Sequence, residues 1–270
     1  MTEQLFRRYA DYVETHFGIR LPAEKKTLLE TRLFKLFNSS DDPEFKDAES
    51  FLAYLCQDKS GRADNILADA ITTNHTFFMR EKDHFRYFSE AVLPYWAGQS
   101  GEKDLRTWCA ACSTGEEAYT LAMLIQDFFA LQPGWDLSLL ATDLSREALA
   151  TARQGIYEQN VLRELPLHWQ RQYFQPAGPG RVRITSELRA QVVYRQFNLM
   201  EPYFPFKRRF HTIFCRNVMI YFDAPTREAL VRKFYEFLEP GGFLFIGHSE
   251  VIDRNTVPFA YVMPSVYRRM

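Results

Sequence analysis

From Leu105 onward short apolar runs alternate with longer amphipathic stretches, and this alternation admits essentially one architecture: a parallel sheet whose strands are joined by crossover helices. Leu105 to Ala111 reads as the first strand, Glu116 to Phe129 as a helix, Leu137 to Ala141 as the second strand and Ser145 to Arg153 as the next helix. Later strands are expected at Val192 to Arg195, Thr212 to Cys215, Phe243 to Ile246 and Tyr261 to Tyr267. Between about Gly155 and Gln191 the alternation lapses. There Gln172 to Gln175 and Arg181 to Ile184 flank the turn-rich Pro176 to Gly180, which predicts a small antiparallel insertion.

Upstream the texture is helical, with Leu28, Leu29, Leu33, Leu36 and Phe37 spaced by three and four after the start signal Pro22-Ala23-Glu24. Breaks are expected at Asn38 to Pro43 and at Lys59-Ser60-Gly61. The chain therefore divides into a helical N-terminal domain with its linker, 1–90, and an α/β domain, 91–270, carrying a β insertion at about 155–191.

Composition narrows the function classes. Thirty-three basic against 34 acidic residues give a net charge of -1, so no long-range field draws the chain to nucleic acid. No apolar run approaches the roughly 18 residues of a membrane span, and the polar start followed by Arg7 and Arg8 is not a signal peptide. Four cysteines are too few for a disulfide framework, which points to the cytoplasm. Nothing demands more than a monomer, and direct membrane insertion is not expected.

The strongest local signal is Ala110-Ala111-Cys112-Ser113-Thr114-Gly115-Glu116-Glu117, where the first strand turns into a helix. Open α/β sheets bind nucleotide-like ligands at such a junction. A pyrophosphate site would need several glycines, and this loop has one. Two glutamates at the helix start would repel a phosphate yet accept hydrogen bonds from an ammonium or hydroxyl. Taken alone they equally well complement the helix dipole. Asp143, just past the second strand, stands where a carboxylate takes both hydroxyls of an adenosyl ribose. A cationic, phosphate-free ligand such as S-adenosylmethionine fits this pattern better than a dinucleotide.

The loop Ala111 to Tyr119 resembles the corresponding loop of the CheR methyltransferases, A-x-S-T-G-E-E-P-Y. It is accompanied in order by Thr73 to Glu81 (TNHTFFMRE), Ala141 to Tyr157, Phe197 to Met200 (FNLM), Phe214 to Asp223 (FCRNVMIYFD) and Leu238 to Glu250 (LEPGGFLFIGHSE). The resemblance runs from Thr72 to the C-terminus, and more weakly through the helical segment. It implies a class I S-adenosylmethionine-dependent methyltransferase fold, Rossmann-like, with a mostly parallel sheet and an antiparallel last strand. It further implies S-adenosylmethionine as cofactor, S-adenosylhomocysteine as product, and transfer to glutamate carboxylates on the cytoplasmic helices of a chemoreceptor in chemotaxis adaptation. Carried over position by position, cofactor contacts fall on Asn74, Thr76, Arg80, Glu117, Asp143, Asn198, Leu199, Arg216 and Asn217. Arg80 and Tyr221 fall beside the reacting groups. Two departures are Ala118 in place of proline, tolerated in a first helical turn, and His75, which receives no role.

Cys109-x-x-Cys112 lacks a second pair or histidines at ligand spacing, so no metal is expected. Lys25, Arg32 and Lys35 share a face of the predicted second helix and are candidates to meet acidic receptor helices. Two other readings compete. A non-catalytic module could bind the same cofactor for signalling, and a nucleic-acid methyltransferase could use the same sheet. The latter commonly carries an Asn/Asp-Pro-Pro-Tyr loop where this chain has Arg216 to Tyr221.

Overall fold

The computed structural model describes residues 1–38, 45–99, 101–253 and 256–270, so most of the break expected at Asn38 to Pro43 lies outside the described residues. Among the described residues six α-helices come first: α1 (Glu3–Phe17), α2 (Lys26–Asn38), α3 (Ala48–Gln57), α4 (Arg62–Ile71), α5 (Lys82–Tyr87) and α6 (Leu93–Ala97), the last two joined by a π-helical turn at Phe88–Val92. Local chemistry accounts for their limits. Thr2 caps α1 by accepting from the Leu5 N–H, Gly18 ends it in the left-handed region, and Asp47 caps α3 through Ser50 N. The apolar faces of α1 to α4 meet in a core around Tyr9, Phe51, Leu33 and Leu67.

The sheet and its helices follow as β1 (Thr107–Ala110), α7 (Glu116–Phe129), β2 (Leu139–Asp143), α8 (Arg146–Gln154), β3 (Ile156–Glu158), α9 (Leu167–Tyr173), β4 (Phe174–Pro176), β5 (Arg181–Ile184), α10 (Ser186–Gln191), β6 (Val192–Gln196), β7 (Phe210–Cys215), α11 (Ala224–Phe237), β8 (Leu238–Ile246), β9 (Phe259–Met263) and β10 (Val266–Arg269). Seven strands form one sheet in the order β6-β2-β1-β7-β8-β10-β9. β6 to β8 in that order run parallel, and β10 pairs antiparallel with both β8 and β9. β1 is central and buried along its whole length, and the chain leaves it toward β2 on one side and returns to β7 on the other. The crevice beyond its carboxyl end is thus the switch point where such sheets hold ligands. Separate apolar cores, one around Tyr119 and Phe245 and one around Trp108 and Phe234, lie in the α/β part.

The structure corrects the single strand expected at Tyr261 to Tyr267. It is a hairpin, because Pro264 cannot donate to a ladder and Ser265 adopts φ 61°, so the chain reverses between Met263 and Val266. The insertion is a three-stranded sheet ordered β3-β5-β4, in which Ile156–Glu158 was not foreseen as a strand. Trp169 of α9 donates to Asp127 of α7 at 2.6 Å and fastens this piece to the main sheet's helix layer.

Arg32 does not serve the solvent face expected of it. Its guanidinium donates to the carbonyls of Ala70, Ile71 and Thr72 and to Thr73 Oγ1, closing the C-terminus of α4 and fixing the linker that follows. Lys25 lies in the short 3₁₀ turn ahead of α2. At the far side, Asp69 of α4 accepts from Ser145 Oγ at 2.7 Å and Glu147 N at 3.1 Å, so the helical segment docks on the start of α8.

Buried histidines, His84 and His211, set an acid limit on stability. His211, at the start of β7, accepts the Arg106 N–H at Nδ1 (2.9 Å) while Arg106 Nη2 stands 3.1 Å from Nε2. Burial, aided by that guanidinium, lowers its pKa to about 4. Between the ordinary value of 6.5 and about 4 the unfolded chain binds the proton more readily, so stability falls as pH falls through this window. His211→Gln is expected to lose about 3 kcal/mol less than wild type between pH 6.5 and 4, measured by urea titration at each pH. Parallel pH profiles for the two proteins would refute this account.

Candidate active site

Three segments converge at the carboxyl ends of β1, β2 and β7. The first is the loop Ala111 to Gly115, which leads into α7. Gly115 sits at φ 99°, and a Cβ there would lie 2.8 Å from Ala152 Cβ and 3.0 Å from Tyr194 Oη, so the close approach of loop to α8 requires glycine. The loop's own amides are largely used: Cys112 N donates to Thr142 O, Gly115 N to Cys112 O, and Ser113 N to Asp143 Oδ2 at 2.7 Å. This is not the open nest of N–H groups that a pyrophosphate needs.

Asp143, last residue of β2, is buried and takes a second amide, Ser145 N, on Oδ1 at 2.9 Å. Burial pushes its carboxyl up, while the amides of Ser145, Ser113 and Leu144 hold it back. Each oxygen accepts one N–H and keeps a second lone pair, which suits a vicinal diol. The two glutamates of α7 part company. Glu116 turns to Thr114 Oγ1 (2.7 Å) and does not line the cavity, whereas Glu117 does. Glu117 Oε2 accepts from Arg216 Nη1 at 2.9 Å, and Oε1 from Cys109 Sγ at 3.2 Å. Burial raises its pKa and Arg216 opposes the rise.

The second segment follows β7. The Arg216 side chain is wholly buried, with Nη2 on Arg80 O (2.6 Å) and Glu81 Oε2 (2.9 Å) and the guanidinium 5.1 Å over the Phe85 ring. The third is the linker Thr72 to Glu81, whose Arg80 donates to His75 O at 3.0 Å and lies over the Phe77 ring. Among the described residues, five of the six non-glycine residues with positive φ (Met79, Glu81, Ala111, Ser113 and Asn217) lie in these three segments. Backbone strain concentrates where a ligand would be held.

All ten residues singled out from the sequence line one cavity of about 970 Å³, counted to its open mouth: Asn74, Thr76, Arg80, Glu117, Asp143, Asn198, Leu199, Arg216, Asn217 and Tyr221. Several use their polar atoms elsewhere. Asn198 donates to His16 O (2.7 Å) and Asn217 to Glu81 Oε1 (3.1 Å), so these two, like Arg216, build the wall through their side-chain bonds. Arg80 and Tyr221 are half-buried, toward solvent from the buried Asp143.

Sequence reasoning missed several residues that build the site. Phe17 and Ile19 close the cavity from the end of α1, and Arg20 N donates to Tyr221 O at 2.8 Å. No local pattern points across that distance. Glu81 gathers Arg216, Asn217 and His248 N, and Glu250 gathers three amides. Both stood inside recognised motifs, which was the available signal. Glu81, His84 and His248 also bring one potential ligand atom each within 4.8 Å of one another, but the carboxylate is engaged by Arg216 and Asn217.

A cavity with a carboxylate pair suited to a diol and a cation, and no phosphate cradle, fits S-adenosylmethionine. Comparison with known proteins agrees. Residues 74–267 match the family model described as CheR methyltransferase, SAM binding domain. The chain is 36% identical to the chemotaxis protein methyltransferase of Borreliella burgdorferi over all of its own length and 95% of that protein's. It is 36% identical to that of Klebsiella aerogenes, with 99% and 90% covered, and 36% identical to that of Escherichia coli, with 93% and 87% covered. Site geometry and full-length similarity together place this chain in the CheR family of S-adenosylmethionine-dependent chemotaxis protein methyltransferases.

Proposed function

We propose that this enzyme methylates glutamate side-chain carboxylates on the cytoplasmic helices of a chemoreceptor, giving glutamate methyl esters in chemotaxis adaptation. The carrying observation is the gradient of burial across one cavity. Asp143 is buried, where it would hold the ribose, and Glu117, its side chain 12% exposed and paired with the buried Arg216, would hold the ammonium of the cofactor, while Arg80 and Tyr221 are half-buried and reachable by an incoming side chain. No described helix is long and apolar enough to cross a membrane.

The cofactor supplies a methyl group already activated on a sulfonium. The protein's task is alignment. A glutamate, with an ordinary pKa of about 4.3, arrives ionised at neutral pH and needs no general base. The Arg80 guanidinium would hold that carboxylate by a fork of two N–H groups, and the Tyr221 hydroxyl would orient it. Phe17, Ile19, Phe197 and Phe222 in the cavity wall exclude water from the transfer.

Incubation with methyl-labelled cofactor and receptor cytoplasmic fragments is expected to leave base-labile label on the receptor. Cofactor binding without transfer would favour a non-catalytic module, and label appearing on RNA would favour a nucleic-acid methyltransferase. Either result would overturn the assignment.

A further inference from the structure

Glu250 closes the turn after β8 and does not line the cavity, yet three backbone amides from two loops point at its carboxylate. Oε2 accepts from Gly247 N at 2.5 Å and Asn217 N at 3.0 Å, and Oε1 from Ile220 N at 3.2 Å. The side chain is 4% exposed. Two of the donors bracket the segment from Asn217 to Ile220, whose next residue is Tyr221. Asn217 is held at φ 59°, a conformation asparagine adopts at a cost unless its surroundings enforce it. The third donor belongs to Gly247, where a Cβ would stand 2.4 Å from Asn217 Nδ2 and 2.8 Å from Asn217 N, so the two loops are in direct contact.

A charged carboxylate is the one side-chain group here that accepts from all three amides without presenting a donor to any of them. We propose that Glu250 is a positioning residue for methyl transfer: from behind the cavity wall it holds the turn from Arg216 to Tyr221 so that Tyr221 faces the reacting groups. This rests on the reading of Tyr221 given above. Glu250 itself lies outside the cavity lining.

The test compares Glu250→Gln, Tyr221→Phe and the double variant, using methyl transfer to a receptor cytoplasmic fragment and calorimetry with S-adenosylhomocysteine. Glutamine keeps the shape but turns an NH₂ toward a backbone N–H. E250Q is expected to lower kcat about 30-fold, the scale of a sub-ångström misalignment, with the KM for receptor and the affinity for S-adenosylhomocysteine within about threefold of wild type. The double variant should be no slower than Y221F alone, because a residue acting through Tyr221 has nothing to misplace once the hydroxyl is gone. Should E250Q fail to fold, E250D retains the charge but withdraws the oxygens by one methylene, and the same double-variant comparison applies. If Y221F is slow while E250Q turns over at the wild-type rate, or if the two losses multiply, Glu250 does not position Tyr221. If Y221F itself transfers normally, the reading of Tyr221 and this proposal fall together.

Discussion

Asp143→Ala is expected to abolish methyl transfer and to weaken S-adenosylhomocysteine binding by at least about 100-fold, the scale of two charge-assisted hydrogen bonds lost at once. The side chain has two duties. It closes the loop against β2 by accepting Ser113 N and Ser145 N, and it keeps a lone pair on each oxygen for the ribose diol. Alanine leaves both amides without their partner, at about 1–3 kcal/mol each, so a fall in thermal stability accompanies the lost affinity. Asp143→Asn is the milder change: its single carbonyl oxygen still serves one amide, while its NH₂ opposes the other and the charge is lost. Calorimetry on both variants decides the matter. An asparagine variant that binds S-adenosylhomocysteine within threefold of wild type would remove Asp143 from the cofactor site.

Arg216→Ala should produce the largest loss of stability among the cavity residues, about 3–5 kcal/mol, the cost of leaving a buried charge unpaired. The guanidinium lies between Glu117 and Glu81 and also donates to Arg80 O, so one side chain joins α7, the linker and the loop after β7. Its removal leaves two carboxylates facing the same space. The variant also carries a pH signature. Burial already raises Glu117, and at Glu81 burial is outweighed by Arg216 and Asn217, which leave it lowered. Without Arg216 both folded-state values move up, the folded protein binds protons that the unfolded chain does not, and the deficit shrinks as pH is lowered from 7 toward 5. Urea titrations at several pH values test this. Lysine at 216 is not expected to restore stability, because one ammonium cannot span the three acceptors that the planar fork reaches. A deficit independent of pH would show that packing against Phe85 matters more than the charges.

Much of the site was legible because its parts are local. A helix from Glu116 to Phe129 follows from periodicity alone, and the structure has those limits. Strand Arg181–Ile184 likewise follows from the turn residues ahead of it. Asp143 stood out by its place at the end of a strand, where backbone geometry decides what a short side chain can reach, whereas the choice of Glu117 over Glu116 came from the family resemblance. By contrast the sequence offers no sign of the partners of Arg216, and only its surroundings show the two terminal nitrogens of the guanidinium engaged by Glu117, Glu81 and a carbonyl. Arg32 read as a surface cation, and its four acceptors lie 38 to 41 residues away.

Hydropathy period and turn chemistry thus determined the class of fold, the order of its elements and the loop that faces a ligand, since these depend on neighbours within a turn or a strand. Tertiary structure alone decided that the end of α1 and the residues just after it supply Phe17 and Ile19 to the cavity, that Tyr261 to Tyr267 bends into a hairpin, and that Glu81 and Glu250 fasten the loops from behind. The reason is that a buried polar group takes whichever partner the packed chain brings within about 3 Å, and sequence separation carries no record of that distance.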